Sequence, residues 1–251
     1  MLGWQIFTHA LRMVFGNFKQ VLQITIGPAL IATIVVVAAV LFIGIPEETL
    51  ATESEQAIPD GFGLLFFVIF VVVFAVVFWI AVSWHRYVLL EEYPSGFLPI
   101  FRTDRILAYF GRGVLLALIM LVFFVPIMFV VVGLLGAVPA LGAIVGIIVY
   151  AFVVVAVMRL SITLPATAIG QPVGFGEAWE ATKGYGGTIL ILLAVSFVFQ
   201  VLVQLAIALF SFIPLLGALV SIFFAMLIIP MINLSILTTM YGVFIEKRQL
   251  S

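Results

Sequence analysis

Cysteine is absent from the chain, so disulfides, thiolate chemistry and cysteine metal sites are excluded, and the redox compartment stays undetermined. Histidine is nearly absent too: only His9 and His85 occur. No stretch offers a His-Glu-x-x-His, a Gly-x-Ser-x-Gly or a Gly-Lys-Ser/Thr phosphate loop, so the chain is read as non-enzymatic, with no metal and no cofactor expected. A catalytic centre would have to be assembled from arginine, Glu91, Glu92 and His85. Charge is scarce, at 8% of 251 residues. What charge there is avoids the apolar stretches, and no Asp or Glu lies inside one. Ion-coupled carriers and acidic-ring cation channels place an ionisable group there, so both are disfavoured.

Hydrophobic residues make up 66% of the chain, with a mean hydropathy of +1.42. A soluble domain carries about a quarter charged residues, so this is a polytopic membrane protein. A hydrocarbon core about 30 Å thick needs roughly 20 apolar residues in a helix. Six stretches reach that length: Val21 to Ile45, Phe62 to Trp84, Val114 to Val138, Ala140 to Ser161, Thr188 to Phe212 and Leu215 to Tyr241. They are continuous, whereas barrel strands alternate over about ten residues. The fold class is all-α integral membrane, a single domain over 1–251. The first stretch is too long for a signal-peptide core and is expected to remain as a span.

All ten basic residues, Arg12, Lys19, Arg86, Arg102, Arg105, Arg112, Arg159, Lys183, Lys247 and Arg248, fall on one side of these spans. The positive-inside rule makes that side cytoplasmic and puts both termini there. The connection Pro46 to Gly61 is acidic, with Glu47, Glu48, Glu53, Glu55 and Asp60, and faces outward. It lacks the spaced ligands and tight glycine turn of a calcium loop and reads as a solvated segment.

An internal repeat organises the chain. Val138-Pro139-Ala140-Leu141-Gly142-Ala143 between spans three and four is nearly copied by Ile213-Pro214-Leu215-Leu216-Gly217-Ala218 between spans five and six. Arg159-Leu160-Ser161-Ile162 is echoed by Asn233-Leu234-Ser235-Ile236, and Trp84-His85-Arg86 occupies the matching place in the first third. The repeat predicts six transmembrane helices as three tandem hairpins, units of about 1–90, 97–169 and 174–246, around a pseudo-threefold axis along the membrane normal. An amphipathic interfacial helix precedes each hairpin. The first lead would lie flat on the inner leaflet by Phe7, Ala10, Leu11, Val14, Phe15 and Phe18. The second, Ile100 to Arg112, sets Arg102, Arg105 and Arg112 on one side with Ile100, Leu107 and Phe110 on another. The third, Phe175 to Tyr185, buries Phe175, Ala178 and Trp179.

The aromatic lead, the run from Trp84 to Glu92, the run from Arg159 to Ala168 and the run from Gly174 to Thr182 together resemble a group of bacterial multi-span membrane proteins. These are similar to the membrane domain attached to some glycerophosphoryl diester phosphodiesterases. The resemblance implies a multi-pass module of the bacterial inner membrane. The phosphodiesterase barrel is absent from this sequence, so its hydrolysis and metal ligands do not carry over.

Candidate contacts for lipid or anion are His85, Arg86, Arg102, Arg105, Arg112 and Arg159. His85 also reads as an interfacial residue that ends its span. Arg86, Arg159 and Asn233 hold equivalent repeat positions, where they would either converge on one anionic headgroup or snorkel separately. Gln200, Gln204 and Asn233 are the intramembrane polar residues, either glue between helices or the start of a transport path. Gly142 and Gly146 offer a close-packing face, and Pro126 and Pro230 are expected to kink their spans. The expected partners are the lipid bilayer, anionic phospholipid in particular, and another membrane protein; nucleic acid is not expected. The function read from this is a non-catalytic membrane protein binding lipid or another membrane protein, in complex assembly, organisation or homeostasis. The alternative is a passive or lipid-type transporter with a cytosol-facing cleft. A transporter would show a polar-lined cavity reaching past mid-membrane near Gln200 and Asn233.

Overall fold

The computed structural model describes residues 1–43, 62–94, 96–210 and 212–250. The acidic connection Pro46 to Gly61 lies outside them. The described chain is helical: α1 (Leu2–Gly16), α2 (Phe18–Ile43), α3 (Phe62–Leu90), α4 (Thr103–Ala137), α5 (Pro139–Ser161), α6 (Thr163–Ile169), α7 (Phe175–Ala181), α8 (Gly186–Phe210), α9 (Pro214–Ile222) and α10 (Ile229–Phe244). A π-helical stretch, Phe223–Ile228, joins α9 to α10. Six helical runs are long and apolar enough to cross a membrane, with α5 continuing through α6 and α9 through α10.

All three expected lead helices differ from the structure. The second is no separate interfacial helix, because α4 starts at Thr103 and runs unbroken for 35 residues through the third span. Its buried face there is Ile106 and Tyr109, whereas Leu107 and Phe110 point outward. The first lead is a helix, but α1 packs on α8 and α10 rather than lying free on a leaflet. Its buried stripe is Gly3, Ile6, Phe7, Ala10 and Val14, and Phe15 is exposed. Small residues make this possible: a Cβ on Gly3 would sit 2.5 Å from the carbonyl oxygen of Thr188. Asn17 ends α1 by leaving helical geometry. The third lead is shorter than expected: α7 ends at Ala181 instead of Tyr185, and of the three residues expected to be buried only Ala178 is, with Phe175 and Trp179 half-buried and Glu177 and Glu180 exposed.

Side-chain burial is concentrated at the end of the bundle that carries the basic residues. It covers Val21 to Pro28 of α2, Trp79 to Leu89 of α3, nearly all of α6, Ile189 and Leu192 of α8, and Met231 to Phe244 of α10. Toward the far end, α2, α3, α5 and α8 expose Leu, Val and Phe. Such faces cost nothing against acyl chains, since lipid tails are as apolar as leucine. The N-terminal helix and the C-terminal tail meet at the basic end, where His9 and Arg248 line one cavity.

Helix pairing uses the small residues named from the sequence. In α5, a Cβ on Gly142 would collide with the backbone of Leu135 in α4, and one on Gly146 would meet Val131 at 3.2 Å. Pro126 is carried inside α4. Pro230 stands in the first turn of α10, where a missing N–H is tolerated, and the π-helical stretch precedes it. Gly142→Val should therefore lower the melting temperature in detergent by more than about 5 °C through overpacking. Gly133→Ala, where a Cβ meets nothing within 4 Å, should leave it nearly unchanged; equal melting of the two variants would remove the α4–α5 contact as the cause.

Candidate functional site

Four consecutive residues at the basic end of α3 reach four different partners. A helix turns about 100° per residue, so Trp84, His85, Arg86 and Tyr87 project in four directions. Trp84 Nε1 donates to Ser235 Oγ of α10 at 3.0 Å. His85 Nδ1 lies 2.8 Å from Thr238 Oγ1, and His85 Nε2 lies 3.3 Å from the Tyr109 hydroxyl of α4. Arg86 turns toward α6 and the segment after α3. Tyr87 donates its hydroxyl to Asn17 Oδ1 at 2.7 Å, at the break between α1 and α2.

The tautomer of His85 follows from its neighbours. Thr238 spends its single hydroxyl proton on the carbonyl of Leu234 at 2.8 Å. Its oxygen can then only accept, so His85 Nδ1 carries the hydrogen and Nε2 accepts from Tyr109. The ring is fully buried and stacked on Tyr109. His85 is therefore corrected from a headgroup contact at a span end to an inter-helix strut: no solvent or lipid reaches it, and both nitrogens are taken.

Arg86 and Arg102 converge on Glu92. Arg86 donates through Nε at 3.0 Å and Nη2 at 2.5 Å to Oε2, and Arg102 donates through Nε to Oε1 at 2.9 Å. The remaining Arg86 nitrogen, Nη1, donates to the carbonyl of Ala168 at 3.1 Å, at the C-terminal end of α6, where a cation is favoured. Glu91 makes the reach possible by adopting a left-handed φ of 55°, which folds Glu92 back against α3. Burial by itself raises the Glu92 carboxyl, but hydrogen bonds and charge from the two arginines outweigh it and hold the group below its ordinary 4.5. The Glu92 hydrogen bond and charge in turn raise Arg102.

The other candidate cations have partners of their own. Arg105 pairs with Asp104 at 2.9 Å and covers the left-handed Gly170, where a Cβ would meet its guanidinium. Arg112 lies over the ring of Phe175, 5.0 Å from its centre. Arg159 lies 3.6 Å above the ring of Trp179, donates through Nε to Thr182 Oγ1 at 2.7 Å and through Nη2 to the Trp179 carbonyl at 2.6 Å. The structure thus brings Arg86 and Arg102 together around Glu92, and gives Arg159 a separate set of partners on α7.

Among the described residues, Gln200, Gln204 and Asn233 make no side-chain hydrogen bond. The glue between spans is Trp84–Ser235 and His85 with Thr238 and Tyr109 instead. Gln200 and Asn233 line a groove of about 620 Å³ between α5, α8 and α10, together with Tyr150, Ser161 and Ser196 and a larger apolar share from residues such as Val154 and Phe197. Gln204 does not line it. From Ser161 to Tyr150 the groove follows α5 for about 16 Å, roughly half a hydrocarbon core. The hydroxyls of Ser161 and Ser196 donate back to the carbonyls of Val157 and Leu192, so Gln200 and Asn233 are the groove's amide groups with open hydrogen-bonding capacity.

The functional residues missed in the sequence are Glu92, Tyr109 and Ser235 as partners of α3, together with the groove wall on α5. Glu92 carried a readable signal, lying between two arginines just after a span. Comparison with family models, with curated proteins and with solved structures found no match.

The lowered Glu92 carboxyl fixes the sign of a pH dependence. Its contribution to stability is complete above the ordinary carboxylate value and is lost as pH falls through the lowered folded value. Melting temperature in detergent should fall for the wild type as pH is brought from 7 to about 3. Glu92→Gln should melt lower at pH 7 and lose less over the same range; equal losses would remove Glu92 as the source.

Proposed function

We propose that this chain is a non-catalytic polytopic membrane protein that binds a membrane lipid in its lateral groove, acting in membrane-complex assembly, organisation or homeostasis. The observation that carries this reading is the groove between α5, α8 and α10. It is mostly apolar, spans about one leaflet in depth, and begins near Ser161 at the basic end. An acyl chain fits the apolar wall, and the open amides of Gln200 and Asn233 suit the polar atoms of an ester or amide linkage.

The placement is a bacterial inner membrane with both termini and the basic end in the cytoplasm, supported by the one-sided charge. Three tandem hairpins are supported by the packing of α2 on α3, α4 on α5 and α8 on α9. The second member of each pair, followed to its end, closes on a left-handed residue: Glu91 after α3, Gly170 after α6 and Lys247 after α10, nearly evenly spaced along the chain. The resemblance to phosphodiesterase membrane domains fits the same reading. Arg105 and Arg112, half exposed on that end, favour anionic phospholipid in the surrounding leaflet.

The lipid-type transporter draws on the same groove. Its lining ends at Tyr150, Gln200 and Asn233, whereas a transport path would continue toward the far side; binding is the reading this favours. Native mass spectrometry from mild detergent tests it. The wild type should retain a phospholipid mass, and Ala194→Trp, which fills the groove, should reduce its occupancy at least fivefold with the melting temperature held. A wild type that carries no lipid, or equal retention by the two, would end the proposal.

A further inference from the structure

A second cavity, about 240 Å³, lies at the basic end between α1, the end of α3, α10 and the C-terminal tail. It opens on a different face of α10 from the groove. Its floor is apolar, with Leu89 and Val243, and its polar groups come from two opposite walls: His9 from α1, and Arg248 and Gln249 from the tail. The hydroxyls of Thr238 and Thr239, which also line it, donate to the carbonyls of Leu234 and Ser235. Donors facing the cavity therefore come from His9, Arg248 and Gln249.

The tail is held over this space by backbone geometry. Lys247 takes a left-handed φ of 58°, which residues with a Cβ rarely adopt. That turn lets the Arg248 N–H donate to the Gly242 carbonyl at 2.9 Å, folding the tail back along α10. Lys247 Nζ anchors the turn on the Phe244 carbonyl at 2.7 Å. Glu246 Oε2 lies against the Nε edge of Arg248 as a charge contact without hydrogen-bond geometry, and the two Nη groups make no hydrogen bond among the described residues. One edge of a guanidinium is thus braced by a carboxylate while its fork is left for an acceptor.

We infer that this cavity binds the phosphate group of a phosphate ester, held between the Arg248 fork, the Gln249 amide and the His9 ring, with the ester's carbon portion against Leu89 and Val243. Donors from opposite walls suit a tetrahedral oxyanion, whose oxygens point in several directions, better than a planar carboxylate that one fork satisfies. The same group can come from a lipid headgroup of the adjoining leaflet or from a free phosphate ester. The inference does not depend on the groove.

The test uses the full chain in phosphatidylcholine nanodiscs, with inorganic phosphate and butyl phosphate as free probes, and in nanodiscs containing phosphatidylglycerol as the lipid arm. Saturable binding in either arm, weakened at least tenfold by Arg248→Gln and by His9→Leu, is the expected result, with butyl phosphate binding unchanged by Gln200→Leu. Butyl phosphate binding assigns a free ester; phosphatidylglycerol retention alone assigns the headgroup. Loss of binding in Gln200→Leu but not in Arg248→Gln would place the ligand in the groove and overturn the inference. So would no binding in both arms, or wild-type binding by Arg248→Gln. Gly133→Ala on α4, where a Cβ meets nothing within 4 Å and which does not line the cavity, serves as a folded variant that should bind as the wild type does.

Discussion

The four residues Trp84 to Tyr87 impose the constraint on which the rest of the structure depends. Each carries a polar group, and helix geometry spreads them around the whole circumference of α3. A helix with polar groups on every side has no face to give to hydrocarbon, because each unsatisfied group there costs several kcal/mol. Protein must therefore surround this end of α3. The surrounding elements are α10 for Trp84 and His85, α4 for His85, α6 and Glu92 for Arg86, and Asn17 for Tyr87. Away from these residues the same helix is apolar and exposed, so the bundle is tight at one end and loose at the other.

This also explains which parts of the fold were legible in the sequence. The six spans were, because crossing a membrane is a matter of length and hydropathy. Which faces pack was not, because protein-facing and lipid-facing residues are alike: Ile106 is buried and Leu107 is exposed, and nothing in their chemistry distinguishes them. In α1 the decisive residue is Gly3, whose smallness rather than hydrophobicity admits α8. The arginines were readable as a one-sided set but not as individual partners. Arg159 was aligned with Arg86 by the repeat, yet one meets an aromatic ring on α7 and the other a carboxylate after α3.

Helix α10 has a double role that neither proposed site shows alone. Asn233 and Ile236 form one wall of the groove, and Thr239 and Gly242 form a wall of the tail-covered cavity. Interleaved with them in the chain, Ser235 and Thr238 are the residues that Trp84 and His85 hold. The polar anchors thus fix the rotation of α10, and that rotation decides what each wall presents.

That rotation is also set by counting. A π-helical turn takes up one residue more than an α-helical turn, so the stretch from Phe223 to Ile228 shifts α10 out of phase with α9. One residue corresponds to about 100° of angular position. Along this span, chain length is the inherited quantity that matters most: exchange of one apolar residue for another keeps the phase, whereas an insertion or deletion between Phe223 and Pro230 would turn the serine and threonine anchors away from α3.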